Sequence, residues 1–209
     1  MSSVLQFFVL VYITYWVCAL VGVIVVRSDT SVGRRLEIYT WNSRVEMWHR
    51  LPQFRLLFGA MEDGRIVASS LLVMAFNLPM VILQCLAGIA LLSPVLAMAS
   101  GGFAGVIIGQ GRGRRFFVYA AATAIVEFGA FASAGALGMT VGAAWLLHGS
   151  EFSDAVTMVV SNAGAYTLLP LVFLAANGVL EASGPCYWGI DGVPGIRAYR
   201  NRTLKRRAS

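Results

Sequence analysis

The chain has 209 residues, of which 58% are hydrophobic and 12% charged, and its mean hydropathy is +0.73. A soluble domain carries charge on about a quarter of its residues, so that class is excluded, and no polar region is long enough to build a second core. The net charge of +6 would suit a nucleic-acid binder, but in so apolar a chain basic residues mark cytoplasmic loops, and no nucleic-acid partner is expected.

Residues 4–26 are an uninterrupted apolar run containing Tyr12, Tyr15 and Trp16. A helix crosses a bilayer with about 20 apolar residues, so this is the first span. It lacks the basic start and small-residue cleavage site of a signal peptide and is expected to stay attached. Residues 27–65 carry seven arginines and five acids, interleaved with aromatic and aliphatic side chains, which suits a cytoplasmic loop at the interface better than a disordered linker. Within it Pro52 can open a helix, and Phe54, Leu57, Phe58 and Met61 follow at helical spacing. This amphipathic segment is expected either to rest among lipid headgroups or to pack on the cytoplasmic ends of the spans.

Residues 66–110 contain no charged side chain, which is enough for two spans, at about 66–91 and 94–109. Leu92, Ser93 and Pro94 form one candidate turn. Ser100, Gly101 and Gly102 form a second, with a short helix at the outer surface between them. Asn77 stands two residues before Pro79, where the missing amide donor favours a bend or a polar site. Gly101, Gly105 and Gly109 recur every fourth residue, a ridge along which another backbone can approach.

The stretch 116–147 has one side chain charged at neutral pH in water, Glu127. After it Ala130, Ala134, Gly138 and Gly142 make a second small-residue ridge, expected to dock against the first. A carboxyl here cannot face lipid without large cost. It is expected either to tie spans together through Asn77, Asn162, Thr123 or Thr140, or to form a proton or cation site in a cavity. The polar turn of His148, Glu151 and Asp154 reads as an outer loop rather than a metal site, and no metal or other cofactor is expected. Residues 155–180 form the last span, with Asn162, Tyr166, Pro170 and Asn177, and 181–209 is a Gly- and Pro-rich tail ending in the basic cluster Arg197 to Arg207. Cys18, Cys85 and Cys186 have no paired spacing, so neither a disulfide framework nor zinc is indicated.

The chain therefore reads as an all-α, polytopic transmembrane bundle of about five spans, one membrane domain over 1–209. All sixteen basic residues fall in residues 27–65, in the Arg112 loop or in the tail, and five spans put these on one side. By the positive-inside rule that side is the cytoplasm of a cell membrane, with the N-terminus outside and the C-terminus inside.

The run from Phe76 to Gly142 resembles the stage II sporulation protein M family of bacterial and archaeal membrane proteins. The features that carry the resemblance are Asn77, Gly88, the pair Gly102 and Gly105, and the sequence Glu127-Phe-Gly-Ala-Phe-Ala-Ser-Ala-Gly-Ala-Leu-Gly ending at Gly138. Where that family has a His-Gly pair before its glutamate, this chain has Thr123 and Ala124. The resemblance implies an all-helical protein of about five spans, in a family whose name-giving members look like scaffolds.

No catalytic constellation is visible. The expected function is a non-enzymatic scaffold or accessory subunit, in contact with membrane lipids and assembling with other membrane subunits or with itself through its small-residue ridges. The alternative is a permease or permease subunit that uses Glu127, Asn77 and the helix breaks near Gly101 and Pro170.

Overall fold

The computed structural model describes residues 2–28, 30–111 and 114–187, and among these all regular structure is helical. Arg112 and the basic cluster Arg197 to Arg207, on which part of the charge argument rests, lie outside the described residues. Eight α-helices follow in order among the described residues: α1 (Ser2–Arg27), α2 (Ser31–Arg50), α3 (Pro52–Glu62), α4 (Ile66–Ile89), α5 (Ser93–Gln110), α6 (Arg114–Gly142), α7 (Phe152–Ala163) and α8 (Leu169–Tyr187). Among the described residues five stretches are long and apolar enough to cross a membrane: Ser3–Arg27, Ile66–Ile89, Ser93–Gln110, Arg114–Leu147 and Phe152–Gly184. On α1 the exposed residues Leu5, Val9, Ile13, Val17, Leu20 and Ile24 follow helical spacing and leave one apolar face open, as a lipid-facing helix would.

α6 is the centre. It packs against α1, α4 and α8, while α5 is attached chiefly to α1. The glycine ridges explain both pairings, though not the one expected. Gly101, Gly105 and Gly109 meet α1, not α6: a Cβ on Gly101 would stand 3.1 Å from the Tyr15 Cα, one on Gly105 would fall on the Ala19 carbonyl oxygen, and one on Gly109 would stand 3.2 Å from the Val23 Cα. Gly22 answers from α1 against Gly102 and Val106. The ridge on α6 docks on α4 instead, with Gly138 against Cys85 and Gly88, and Gly142 against Ile89. Each ridge thus has a partner of its own, and the two backbones come close enough for Cα–H to carbonyl contacts. Ala130 and Ala134 are buried in the core shared by α1, α4, α5, α6 and α8.

Two expected breaks are displaced. α5 runs without interruption from Ser93 through Ser100, Gly101 and Gly102, because Gly101 serves close approach to Tyr15 rather than a turn. The turn between α4 and α5 lies at Ala90 to Leu92, where Leu91 takes φ 60°, and Pro94 occupies the first turn of α5, where a missing amide donor costs nothing. Near the other end of the chain the break is at Gly164, with φ 50°, followed by a 3₁₀ turn over Gly164–Leu168, and Pro170 merely opens α8. α6 widens into a π turn over Ala143–Leu147, against which α7 packs through Ala155, Val159 and Ala163.

Residues 27–65 are helical rather than loop. α3 takes the packed alternative: Leu57, Phe58 and Met61 are buried against Val73 of α4, and Phe54 stacks on Phe76 with ring centroids 4.9 Å apart. At the same end of the bundle Arg27 lies 5.8 Å over the Phe117 ring, and the Gln110 amide donates to Thr40 of α2 at 2.5 Å. α8 continues past residue 180 to Tyr187, so the start of the expected tail is part of the bundle.

Candidate ligand-binding cavity

A cavity of about 420 Å³ opens between α3, α4, α5, α6 and α8, with its floor on α1. Phe116 and Phe131 of α6 both line it, and fifteen residues of helix between them correspond to about 22 Å of depth. Glu127, Asn77 and Thr123 all face this space. These are three of the four residues expected to form one polar site; Asn162, the fourth, does not join them: it is exposed on α7, because the Gly164 break turns that helix away from α8.

The polar side chains do not satisfy one another. The buried Thr123 hydroxyl donates to the Tyr119 carbonyl at 2.7 Å, within its own helix, and Thr140 likewise donates to Ala136 at 2.8 Å. Among the described residues no hydrogen-bond donor reaches the half-buried Glu127 carboxyl, and the half-buried Asn77 side chain makes no hydrogen bond either. Glu127 is therefore not the interhelical tie that a buried carboxyl would need to become.

A second acid faces the same cavity. Glu181 lies in α8 and lines the space together with Glu127. Two hydrogen bonds fix it: Asn177 donates its amide to Glu181 Oε1 at 2.8 Å, and the Tyr119 hydroxyl donates to the Glu181 carbonyl at 2.9 Å. Asn177 is fully buried, and among the described residues its own carbonyl oxygen accepts no hydrogen bond. Sequence reading assigned Glu181 to the tail because a Gly- and Pro-rich stretch follows it. The usable signal was the i, i+4 spacing from Asn177, which places the two on one helix face.

No family model, no curated protein and no solved structure matches this chain.

Beneath the cavity lies a second polar group that sequence reading passed over. Tyr15, which also lines the cavity, is completely buried and accepts a hydrogen bond from the Gln84 amide. Gln84 in turn accepts from Ser93 Oγ at 2.7 Å, and Ser100 Oγ lies 3.1 Å from the Tyr15 hydroxyl while donating to the Leu96 carbonyl at 2.6 Å. Gln84, Ser93 and Tyr15 have no solvent exposure at all. The network joins α1, α4 and α5 and closes the cavity from the end where α4 turns into α5. Phe128 stacks on the Tyr15 ring at 4.7 Å and holds it in place. Gln84 was the available clue, since an amide within a long apolar helix has to find partners inside the protein.

The cavity walls carry no nucleophile paired with a base, and among the described residues no three His, Cys, Asp or Glu side chains gather as metal ligands. What the arrangement can do chemically is bind. It offers two carboxyls, an uncommitted amide and aromatic walls, closed at one end and covered by α3 at the other.

Proposed function

We propose that the protein is a multi-pass protein of the cell membrane, with its N-terminus outside and its C-terminus in the cytoplasm, and that it acts as a permease or permease subunit through the Glu127 cavity. The observation that carries this reading is that Glu127 faces a 420 Å³ cavity with no hydrogen-bond donor among the described residues. Structural glue would require the opposite, a carboxyl satisfied by neighbouring helices. Binding rather than catalysis follows from walls without a nucleophile–base pair. The orientation is supported by the gathering of α2, α3, Arg27 and the last turns of α8 at one end of the bundle, where the described basic residues Arg27, Arg34, Arg55 and Arg65 fall.

Assembly with further membrane subunits is the second reading. It is favoured by α2, a twenty-residue helix that exposes Val32, Ile38 and Tyr39 outside the bundle. The small-residue ridges no longer argue for it, because they are occupied within the chain. Membership in the stage II sporulation protein M family stands as a proposal beside both, with Asn77 and Glu127, two of the residues that carry the resemblance, on the cavity wall.

Single cysteines in a cysteine-free background test the permease reading. Cysteines at positions 127 and 77 are expected to react with membrane-impermeant thiol reagents, and from the cytoplasmic face only. Cysteines at Ser2 and Ser209 are expected to label from opposite faces. Positions 127 and 77 that stay inert from both faces would mean a dry interior and would sink the reading.

A further inference from the structure

Asn77 and Glu127 stand at the same level of the cavity, on neighbouring helices. α4 and α6 meet where a Cβ on Gly138 would stand 3.1 Å from the Gly88 Cα, and the next contact along, Gly142 on Ile89, shows that the two helices run in the same direction. Asn77 precedes Gly88 by eleven residues, and Glu127 precedes Gly138 by eleven. Eleven residues are about three turns, so each polar side chain lies on the face that carries its glycine, about 16.5 Å further along. The amide and the carboxyl thus oppose each other where the helices part, and both line the cavity without a hydrogen bond among the described residues.

The space around this pair is slender. Phe54, Leu57, Phe58 and Met61 line it from α3, and lining positions at the same spacing of three and four run from Ser100 to Ile108 on α5 and from Phe116 to Phe131 on α6. Such stripes enclose a channel along the helices rather than a round chamber. Spread over about 22 Å of depth, 420 Å³ leaves a mean cross-section of about 19 Å². Apolar chains in contact lie about 4–4.5 Å apart, so one extended hydrocarbon chain takes about 16–20 Å². One chain fits and two do not. Glu127 lies eleven residues from Phe116 at the mouth, about 16.5 Å of helix, and a zigzag chain advancing about 1.3 Å per carbon covers that distance with about thirteen carbons. Phe103, which also lines the channel, is 47% exposed on α5, so the channel reaches a surface from which a molecule dissolved in the bilayer can enter.

The polar pair selects the head of such a chain. An oxygen of the Glu127 carboxyl accepts hydrogen bonds and the Asn77 NH₂ donates them, and a hydroxyl serves both, donating to the one while accepting from the other. An ammonium only donates and leaves the Asn77 NH₂ unmet, whereas a carboxylate only accepts and sets its oxygens against those of Glu127. We propose that the cavity takes a neutral single-chain lipid with a terminal hydroxyl, its head between Glu127 and Asn77 and its unbranched chain running along α3, α5 and α6 to the mouth. This assignment rests on the permease reading above and narrows it to one substrate class.

The test is photoaffinity labelling of the purified full chain in liposomes, with 1-tetradecanol bearing a diazirine at mid-chain. Plain tetradecanol, its methyl ether, tetradecanoic acid and tetradecylamine compete at equal mole fractions in the bilayer, so partitioning does not enter. Adducts are expected in α3, α5 and α6, with the alcohol displacing the probe on the order of tenfold better than the acid or the amine, and several-fold better than the ether, which cannot donate. Among straight-chain alcohols displacement is expected to strengthen with length and to level off at about thirteen carbons, where the chain reaches the mouth. Glu127→Gln keeps an accepting oxygen and is expected to keep the labelling, whereas Glu127→Leu and Asn77→Leu are expected to lose it. Another competitor that matches the alcohol, no displaceable adduct on the native chain, or labelling that survives both leucine variants would overturn the proposal. Should the variants fail to fold, the ranking of competitors on the native chain gives the answer. If labelling fails while cysteines at 127 and 77 react from the cytoplasmic face, the substrate class falls and the permease reading stands; if labelling fails and those cysteines are inert, both fall.

Discussion

Replacing Gly88 by alanine tests the packing on which the cavity depends. A Cβ at Gly88 would stand 2.8 Å from the Met139 nitrogen and 3.0 Å from the Gly138 carbonyl carbon, and would fall on the Gly135 carbonyl oxygen. All three atoms are helix backbone, so no side chain can swing aside. Bringing these contacts back to ordinary separation parts α4 from α6 by roughly 0.5–1 Å, and a gap of that size forfeits about a quarter to a half of each affected attraction. Overpacking of this kind costs about 1–3 kcal/mol, offset by about 0.5–1 kcal/mol because alanine is the better helix former. The net expectation is a loss of about 1–2 kcal/mol, or roughly 2–8 °C in Tm for a chain of this size. A thiol-reactive dye in mild detergent reads the transition through Cys85, which is half-buried beside the same seam. Gly59 on α3 is the control: nothing lies within 4 Å of its virtual Cβ, so Gly59→Ala is expected to hold or raise Tm. A Gly88→Ala protein that melts at or above the native temperature would refute the account of the ridges as backbone contacts.

Gln84→Leu removes the central member of the buried network, leaving the Ser93 hydroxyl without its partner and the Tyr15 hydroxyl with Ser100 alone. A loss of about 1–3 kcal/mol is expected in denaturant titration, and coupling of at least about 0.5 kcal/mol in a double-mutant cycle with Tyr15→Phe; strict additivity would contradict the network. Phe54→Ala deletes the ring stacked on Phe76 and loosens α3, so amide exchange in Pro52–Glu62 should speed up by on the order of tenfold while the core of α6 stays protected. Uniform acceleration would mean that α3 is not a separate unit. Asn162→Ala, at an exposed site away from the cavity, is expected to leave Tm within the range of ordinary surface changes, about 0.5 kcal/mol, and a large drop would reveal a contact absent from this structure.

The long apolar helices were legible because hydrophobic length is a one-dimensional signal: runs near 4–26, 66–91 and 116–147 became helices with ends shifted by a few residues. Pairing was not legible. Gly101, Gly105 and Gly109 announce that some backbone comes close, but the partner depends on which helix presents a matching surface, and Gly22, Ala19 and Tyr15 of α1 provide it. Gly101 and Gly102 looked like a break because glycine permits turns, yet within an apolar helix it also removes the only obstacle to contact. Gly164, with its positive φ, is where that freedom is used. At the cavity, Glu127, Asn77 and Thr123 were found through the rarity of polar atoms in apolar runs. Glu181 was hidden by the composition downstream of it, and Gln84 by carrying no charge.

The attachment of α5 to α1 bears on how the molecule is made. Gly22 and Gly102, which face each other in that seam, are about eighty residues apart in the chain, and at about 5–20 residues per second the ribosome needs roughly 4–16 s to deliver the second after the first. During that interval α1 has been released without its mate, with the Tyr15 hydroxyl still waiting for Gln84 and Ser100. On the multi-pass reading proposed above, an insertion machinery that shelters the first helix, or lipid that tolerates one phenol for several seconds, is part of this protein's biogenesis.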